Sequence, residues 1–439
     1  CQSSNPYLAV TQFVPMLDWS GNAYSPAWLK GQPALVALND TVGDDMALHH
    51  NLAFQDQVGA VFGVAQDLQR DRTYLGAYTK RLAGYGPLGP GGIYQVDLSR
   101  GTVLPWAALP AGQDSHRFNQ GFDIAASNSV GVTGLGDLEM TPAGDQLFAV
   151  NLRDGYIYRF EAPSGRLLGA FPNGAAGLDW AEDARPFALA WKDGWLYHGV
   201  VDSRSRDAQA TKNPAPRQLA AYVYRSRPDG SDMVEVLRVD LDYGRQPAWN
   251  PWPRVVDDGA YLDQPMLVDI EFREDGDLVL GLRDRQADSR VQNAASGDMV
   301  LTLRSGEIYV PLTVPEFYQD NLLHGESSWG TLASLPWLDQ VVSTVIDPIQ
   351  IYSGGLAWYD NVSGYDVGRE TVYAGANQTF GKAAGLGDLE PLCFALTPTP
   401  TLPAATVTAT ASVTASPSAT RTLTPSPTAS PTVTATPTP

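Results

Sequence analysis

The sequence predicts an all-β chain: a β-propeller over residues 1–396, followed by an extended Thr/Ser/Pro-rich tail over 397–439. Three observations lead there. An apolar strand, a short polar turn and a second strand rich in aromatic and β-branched residues recur along the chain, which is how hairpins read. The hexapeptide GLGDLE occurs twice, at Gly134–Glu139 and Gly385–Glu390, with a looser copy, LVDIEF, at Leu267–Phe272. The composition agrees: 42 Gly and 10% aromatic residues against 18% charged suit short strands and tight turns better than helices.

Taken in order, the first strands are PYLAVTQF (Pro6–Phe13) and ALVAL (Ala34–Leu38). Six hairpin openings follow, at Phe62–Tyr78, Asp137–Leu152, Leu189–Val201, Asp269–Arg283, Leu332–Val345 and Leu356–Gly375. Further hairpins lie at Gly92–Trp106, Gly155–Phe171 and Ala221–Val239. Four-stranded up-and-down units repeating in this way indicate propeller blades with uneven loops. GLGDLEPLC supplies a seventh inner strand, and no hairpin follows it because the Thr/Pro tail begins at once. Its partners are expected from the N-terminal strands, so that one blade joins both ends and no sheet edge stays open. Seven blades is the favoured count and six the alternative. The two cysteines, Cys1 and Cys393, flank the propeller. A disulfide between them would lock the closure in an oxidising compartment. CQSS also fits the lipid-bearing start of a mature lipoprotein, and unpaired thiols are the third reading.

From Thr397 onward the chain has no aromatic, Gly or acidic residue and a single charge, Arg421. Such a segment cannot bury a core, and its prolines favour polyproline II. Dense Thr and Ser with Pro is the composition of an O-glycosylated stalk. The candidate acceptors are Thr397, Thr399, Thr401, Thr406, Thr408, Thr410, the threonines on either side of Leu423, Thr428, Thr432 and Thr434. The plain alternative is an unmodified linker. Fully extended, the tail would span roughly 130 Å.

The formal net charge of −19 and the lack of a basic patch exclude a nucleic-acid role, since phosphate binding needs clustered Lys and Arg. No apolar run reaches the length of a membrane span. The repeated motif carries the most suggestive chemistry. Asp and Glu at i and i+2 share one strand face, so Asp137, Glu139, Asp269, Glu271, Asp388 and Glu390 are expected near the axis or between blades. Like charges gathered there need compensation. The expected cations are Arg283 and Arg285 of GLRDR, and Arg153 behind its own DLE strand. Two readings compete: inter-blade fasteners bonded to Arg and amides, or oxygen ligands of calcium through Asp137, Asp269 and Asp388. The five histidines lack zinc-ligand spacing, and HGESSW (His324–Trp329) reads as a structural His–Glu pair. No nucleophile elbow, P-loop or EF-hand loop is present, so no catalytic residue is assigned.

These segments together resemble a known architecture. GLGDLEMTPAGDQLFAVNLRDGYIYRF, RPFALAWKDGWLYHGVV, WNPW, PMLVDIEFREDGDLVLGLRDR, HGESSWG, VVSTVIDP and FGKAAGLGDLEPLC occur in that order. So ordered, they resemble the propeller domain of large secreted bacterial surface proteins, which often carry serine-aspartate-repeat-type B modules afterwards. With VGAVFGVAQD and TKRLAGYGPLGPGGIYQVDL, the resemblance covers Val58–Cys393. A Thr/Pro tail follows here in place of a B module. The resemblance implies extracellular surface display and no established catalytic residues. The expected function is therefore a structural or adhesive head on a stalk, not an enzyme. It would act as a subunit of a surface fibre or layer, through self-association or contact with a surface glycan or protein. Two rivals stand beside it. One is a calcium-dependent, channel-centred hydrolase or lactonase built on the DLE carboxylates. The other is a glycan-binding head using exposed aromatic residues, for which WNPWP (Trp249–Pro253) is the candidate.

Overall fold

Apolar residues over five to nine positions build the blade strands, and hydrogen bonding to neighbours groups them into four-stranded antiparallel sheets. The computed structural model describes residues 7–18, 21–39, 49–206, 218–253, 255–256, 262–291, 296–323, 325–335, 338–375 and 384–392. All lie within one unit, Cys1–Leu396. Cys1, Cys393, His324 and the whole Thr/Ser/Pro segment with its candidate glycosylation sites lie outside the described residues.

The chain enters through β1 (Tyr7–Gln12), β2 (Pro33–Asn39) and β3 (His50–Phe54). The first complete blade is β4 (Val61–Asp67), β5 (Arg72–Ala77), β6 (Gly92–Asp97) and β7 (Thr102–Ala108). The second is β8 (Leu135–Met140), β9 (Gln146–Asn151), β10 (Tyr156–Glu161) and β11 (Arg166–Pro172). The third is β12 (Ala184–Lys192), β13 (Trp195–Asp202), β14 (Ala220–Ser226) and β15 (Val234–Asp240). The fourth is β16 (Pro265–Phe272), β17 (Leu278–Asp284), β18 (Asp298–Ser305) and β19 (Ile308–Leu312). A short ribbon, β20 (Asn321–Leu322) and β21 (Gly325–Glu326), precedes the fifth blade. That blade is β22 (Ser328–Leu335), β23 (Gln340–Ile346), β24 (Ser353–Asp360) and β25 (Asp366–Ala374). The sixth sheet runs β26 (Leu386–Leu392), β1, β2, β3. The last strand is thus its innermost member and the first three strands complete it, with Ala9 opposite Glu390 and Val10 opposite Leu389.

Among the described residues the propeller therefore has six blades and not the favoured seven. The hairpin Leu356–Gly375 is not a blade opening; it is β24–β25, the outer half of the fifth blade. An outer hairpin is normally half wet. Here the loop before β22 covers it, with the Tyr318 ring 6.1 Å from that of Tyr359 and the Tyr318 hydroxyl donating to Asn361 Oδ1 at 2.7 Å. Tyr359 is fully buried as a result, and Trp358, on the opposite face, is buried against Leu8, Val36 and Leu386 of the sixth sheet, so β24 carries the hydrophobicity of an inner strand.

Burial falls from the axis outward. In the second blade β8 is buried at every position but one, whereas β11 is mostly open to solvent. The inner strands β4, β8, β12, β16, β22 and β26 follow one another around the ring, each in contact with the next. Apolar wedges fill the space between blades, such as Phe148, Val150, Phe187, Leu189 and Val268. Among the described residues no helix is long and apolar enough to cross a membrane.

Candidate functional site: a carboxylate hub on the propeller axis

The GLGDLE hexapeptide builds its site one residue at a time. Its first glycine has a positive φ, +94° at Gly134 and +146° at Gly385, a region that side chains oppose. Its second glycine allows close approach. A Cβ on Gly136 would sit 3.0 Å from the Phe187 carbonyl oxygen, and one on Gly387 would sit 3.2 Å from the Phe62 Cα of the first blade. The inner strand can then press against the backbone of the next blade.

The aspartate that follows reaches across this contact. Asp137 accepts its neighbour's N–H (Leu138) at 2.7 Å on Oδ1 and that of Leu189, on the third blade, at 2.8 Å on Oδ2. Asp269 accepts Ile270 N–H at 2.7 Å and, from the fifth blade, Leu332 N–H at 2.6 Å. Asp388 accepts Leu389 N–H at 2.9 Å and, from the first blade, Val64 N–H at 2.8 Å. Each recipient strand has lost register just before the donor: between Val61 and Val64, Pro186 and Leu189, and Ser328 and Leu332. Such an irregularity leaves a backbone N–H without its ladder partner, and a buried N–H must find an acceptor. Even-numbered blades supply the carboxylate and odd-numbered blades the orphaned amide, so the motif occurs three times in a six-bladed ring.

The glutamates continue the pattern. Glu139 accepts Met140 N–H at 2.8 Å and is also held by the Trp191 amide, while Glu271 is held by the amides of Phe272 and Ser334. Burial is the first cause of their electrostatics. It raises Asp388 to about 7 and both Glu139 and Glu271 to about 8. Asp137, Asp269 and Glu390 are pushed well above the ordinary carboxyl range by burial and then by the other hub carboxylates. Carboxylates of non-adjacent blades feel one another only because all of them face the axis. The hub therefore retains protons close to neutral pH.

The expected cations are elsewhere. Arg283 lies opposite Met266, and the residue opposite Asp269 is Gly281, which carries the guanidinium away from the carboxylates. It forms a bidentate pair with Asp288 at 2.7 Å on both nitrogens, and donates to the Trp329 and Leu386 carbonyls at 3.1 Å. Tyr78 and Lys80 from the first blade's loop join Asp288 at 2.9 and 3.4 Å. Burial opposes the charge on Asp288, yet Arg283 and Lys80 hold it below the usual range. Burial likewise lowers Lys80 to about 8. Arg285 donates to Val130 O and Gln264 Oε1, both at 2.8 Å, and Arg153 is exposed beyond β9. Backbone amides, not arginines, compensate the hub.

Every Asp oxygen in the hub already accepts an N–H, which fits a fastener better than a cation site. Among the described residues, the group of three acids with ligand atoms all within 4.8 Å of one another is Asp298, Glu316 and Glu326. Sequence reasoning missed this group, because irregular segments between blades bring it together and no spacing announces it. Glu326 belongs to HGESSW, the one fragment that drew notice. WNPWP is not an exposed aromatic platform. Trp249 and Trp252 are buried, Trp252 Nε1 donates to Pro265 O at 2.9 Å, and the Arg285 guanidinium lies 4.7 Å from its ring centre.

No family model matches the chain. Colossin-A of Dictyostelium discoideum is 24% identical over 404 residues, covering 78% of this chain and 4% of that protein. Colossin-D of the same organism is also 24% identical over 404 residues, covering 78% of this chain and 41% of that protein. The chain thus spans less than half the length of these curated relatives. Among solved structures, the Dos1 propeller is similar with a TM-score of 0.36 and 14% identity, over 72% of this chain and 63% of that one.

Proposed function

We propose that the chain is an extracellular, surface-displayed structural or adhesive head that works by contact, its propeller carried on the Thr/Ser/Pro segment as a stalk. The observation that supports this reading is the use of the buried axial chemistry. Five of the hub carboxylates and the Arg283–Asp288–Lys80–Tyr78 network tie non-consecutive stretches of chain together, and the hub aspartates have both oxygens engaged by amides. A body stapled in this way holds a fixed surface for partners. The outermost strands carry apolar side chains into solvent, with Leu104, Ile308 and Val310 each at least half exposed, and such positions suit contact with a second copy or a surface partner. In Colossin-A and Colossin-D the similar stretch is one part of a longer protein, as a modular surface protein requires. Resemblance to propellers of large secreted bacterial surface proteins points the same way.

The test uses the native cell. Protease shaving of intact cells should release propeller fragments, and electron microscopy of shed material should show repeated heads. Full-length protein retained in the soluble interior of shaved cells would overturn the proposal.

A further inference from the structure

A second acidic group lies between the fourth and fifth blades, separate from the axial hub. Asp298 opens β18, Glu316 and Asp320 sit on the excursion after β19, and Glu326 lies in β21. Together with Tyr243, Arg245 and Thr313, three of these acids line a cavity of about 340 Å³. Asp320 sits behind them with no solvent exposure, and the charges of Glu326, Asp298 and Glu316 all bear on it.

Five of the oxygens here lack donors. Both carboxylate oxygens of Asp320, and one each of Asp298, Glu316 and Glu326, are buried without a hydrogen-bond partner. That contrasts with the hub, where each aspartate oxygen has its amide. Compensation is also short. Arg245 Nε is 3.7 Å from Asp298 Oδ2, but the same guanidinium already serves Asp263 at 3.1 Å and the Gly297 carbonyl at 3.0 Å. Tyr243 donates its hydroxyl to Asp298 Oδ2. Four carboxylates thus face one shared cation.

We propose that Asp298, Glu316 and Glu326, with the buried carboxylate of Asp320 behind them, form a binding site for a divalent hard cation, with calcium preferred. Oxygens sharing a calcium at about 2.3–2.6 Å lie no more than about 5 Å apart, and the ligand atoms of Asp298, Glu316 and Glu326 meet that limit at 4.8 Å. An all-oxygen set without His or Cys selects calcium, magnesium or manganese over zinc or copper. Ligands drawn from a strand, an irregular loop and a short ribbon, beside an open cavity, suit the flexible coordination of calcium better than the strict octahedron of magnesium. The bound ion clamps the β20–β21 excursion to β18 and so fastens the fourth blade to the entry of the fifth. This site does not depend on surface display, although an extracellular location would supply the ion.

The experiment uses the full chain, stripped with EDTA and returned to calcium-free buffer. Melting temperature is followed against added calcium chloride, and terbium emission is excited through the aromatic residues. Trp249 Nε1 donates to the Tyr243 hydroxyl at 3.2 Å, which places two donor rings at the site. The expected result is a saturable rise in melting temperature and terbium emission that calcium displaces. Both should vanish in Glu316→Gln, weaken in Asp320→Asn and persist in the hub variant Glu271→Gln. Should Asp320→Asn fail to fold, Glu316→Gln at the cavity rim decides alone. No rise up to about 10 mM calcium, above the range of weak extracellular sites, overturns the proposal. So does a rise that survives Glu316→Gln, or one that Glu271→Gln abolishes.

Discussion

Replacing Asp269 by leucine and by asparagine separates the two roles a buried carboxylate can have. In the parent, Asp269 accepts Ile270 N–H at 2.7 Å and Leu332 N–H at 2.6 Å, and both donor residues are buried. Leucine leaves both amides without an acceptor. Each such loss costs about 1–3 kcal/mol, so Asp269→Leu should lose about 2–6 kcal/mol before any relief of repulsion. Asparagine keeps one carbonyl oxygen and restores one of the two bonds. Both substitutions remove the charge, so the repulsive contribution of the neighbouring carboxylates cancels between them. The difference isolates one amide bond, and Asp269→Asn should be more stable than Asp269→Leu by about 1–3 kcal/mol. Urea unfolding followed by the fluorescence of the 11 tryptophans measures this as a shift in midpoint at constant slope. The ordering should be the same with and without EDTA. A leucine variant as stable as the asparagine variant would refute the fastener argument, and a difference that EDTA erases would place an ion in the hub.

Stability should also depend on pH in an unusual direction. Glu139 and Glu271 rise from 4.5 to about 8 in the folded chain, so the native state binds more protons between those values. Their contribution is complete at acid pH and is lost as pH climbs toward 8; urea midpoints at pH 5 and 9 test it, and Glu139→Gln with Glu271→Gln should flatten the profile. A rising midpoint over that interval would count against protonated hub acids. Gly63→Ala should destabilise by about 1–3 kcal/mol, because its Cβ would lie 2.7–2.9 Å from the backbone of Gly136–Leu138. Gly169→Ala on β11, where a Cβ meets nothing within 4 Å, is the control and should be close to neutral in the same denaturation assay. Non-reducing peptide mapping should recover the Cys1 and Cys393 peptides joined, since β26 ends with Leu392 opposite Tyr7; a lipid-modified first peptide or free thiols would dispose of that bond.

Local pattern in the sequence determined the all-β class, most hairpins and the joining of both termini in one blade. These features depend on residues close in the chain, where period-2 alternation and glycine turns act directly. The alternation of Asp137 with Glu139, and of Asp388 with Glu390, likewise placed both acids of each pair on one face of an inner strand. Blade count was different: β24 reads as an inner strand because a loop carrying Tyr318 buries one of its faces and the sixth sheet buries the other. The partners of the hub acids were also beyond local reading. The amides of Val64, Leu189 and Leu332 are backbone groups, identical in every residue until a register shift frees them, so arginine looked like the available cation. The acidic group at Asp298, Glu316, Asp320 and Glu326 has no periodicity at all. Only the meeting of two blades and an irregular excursion brings its oxygens together.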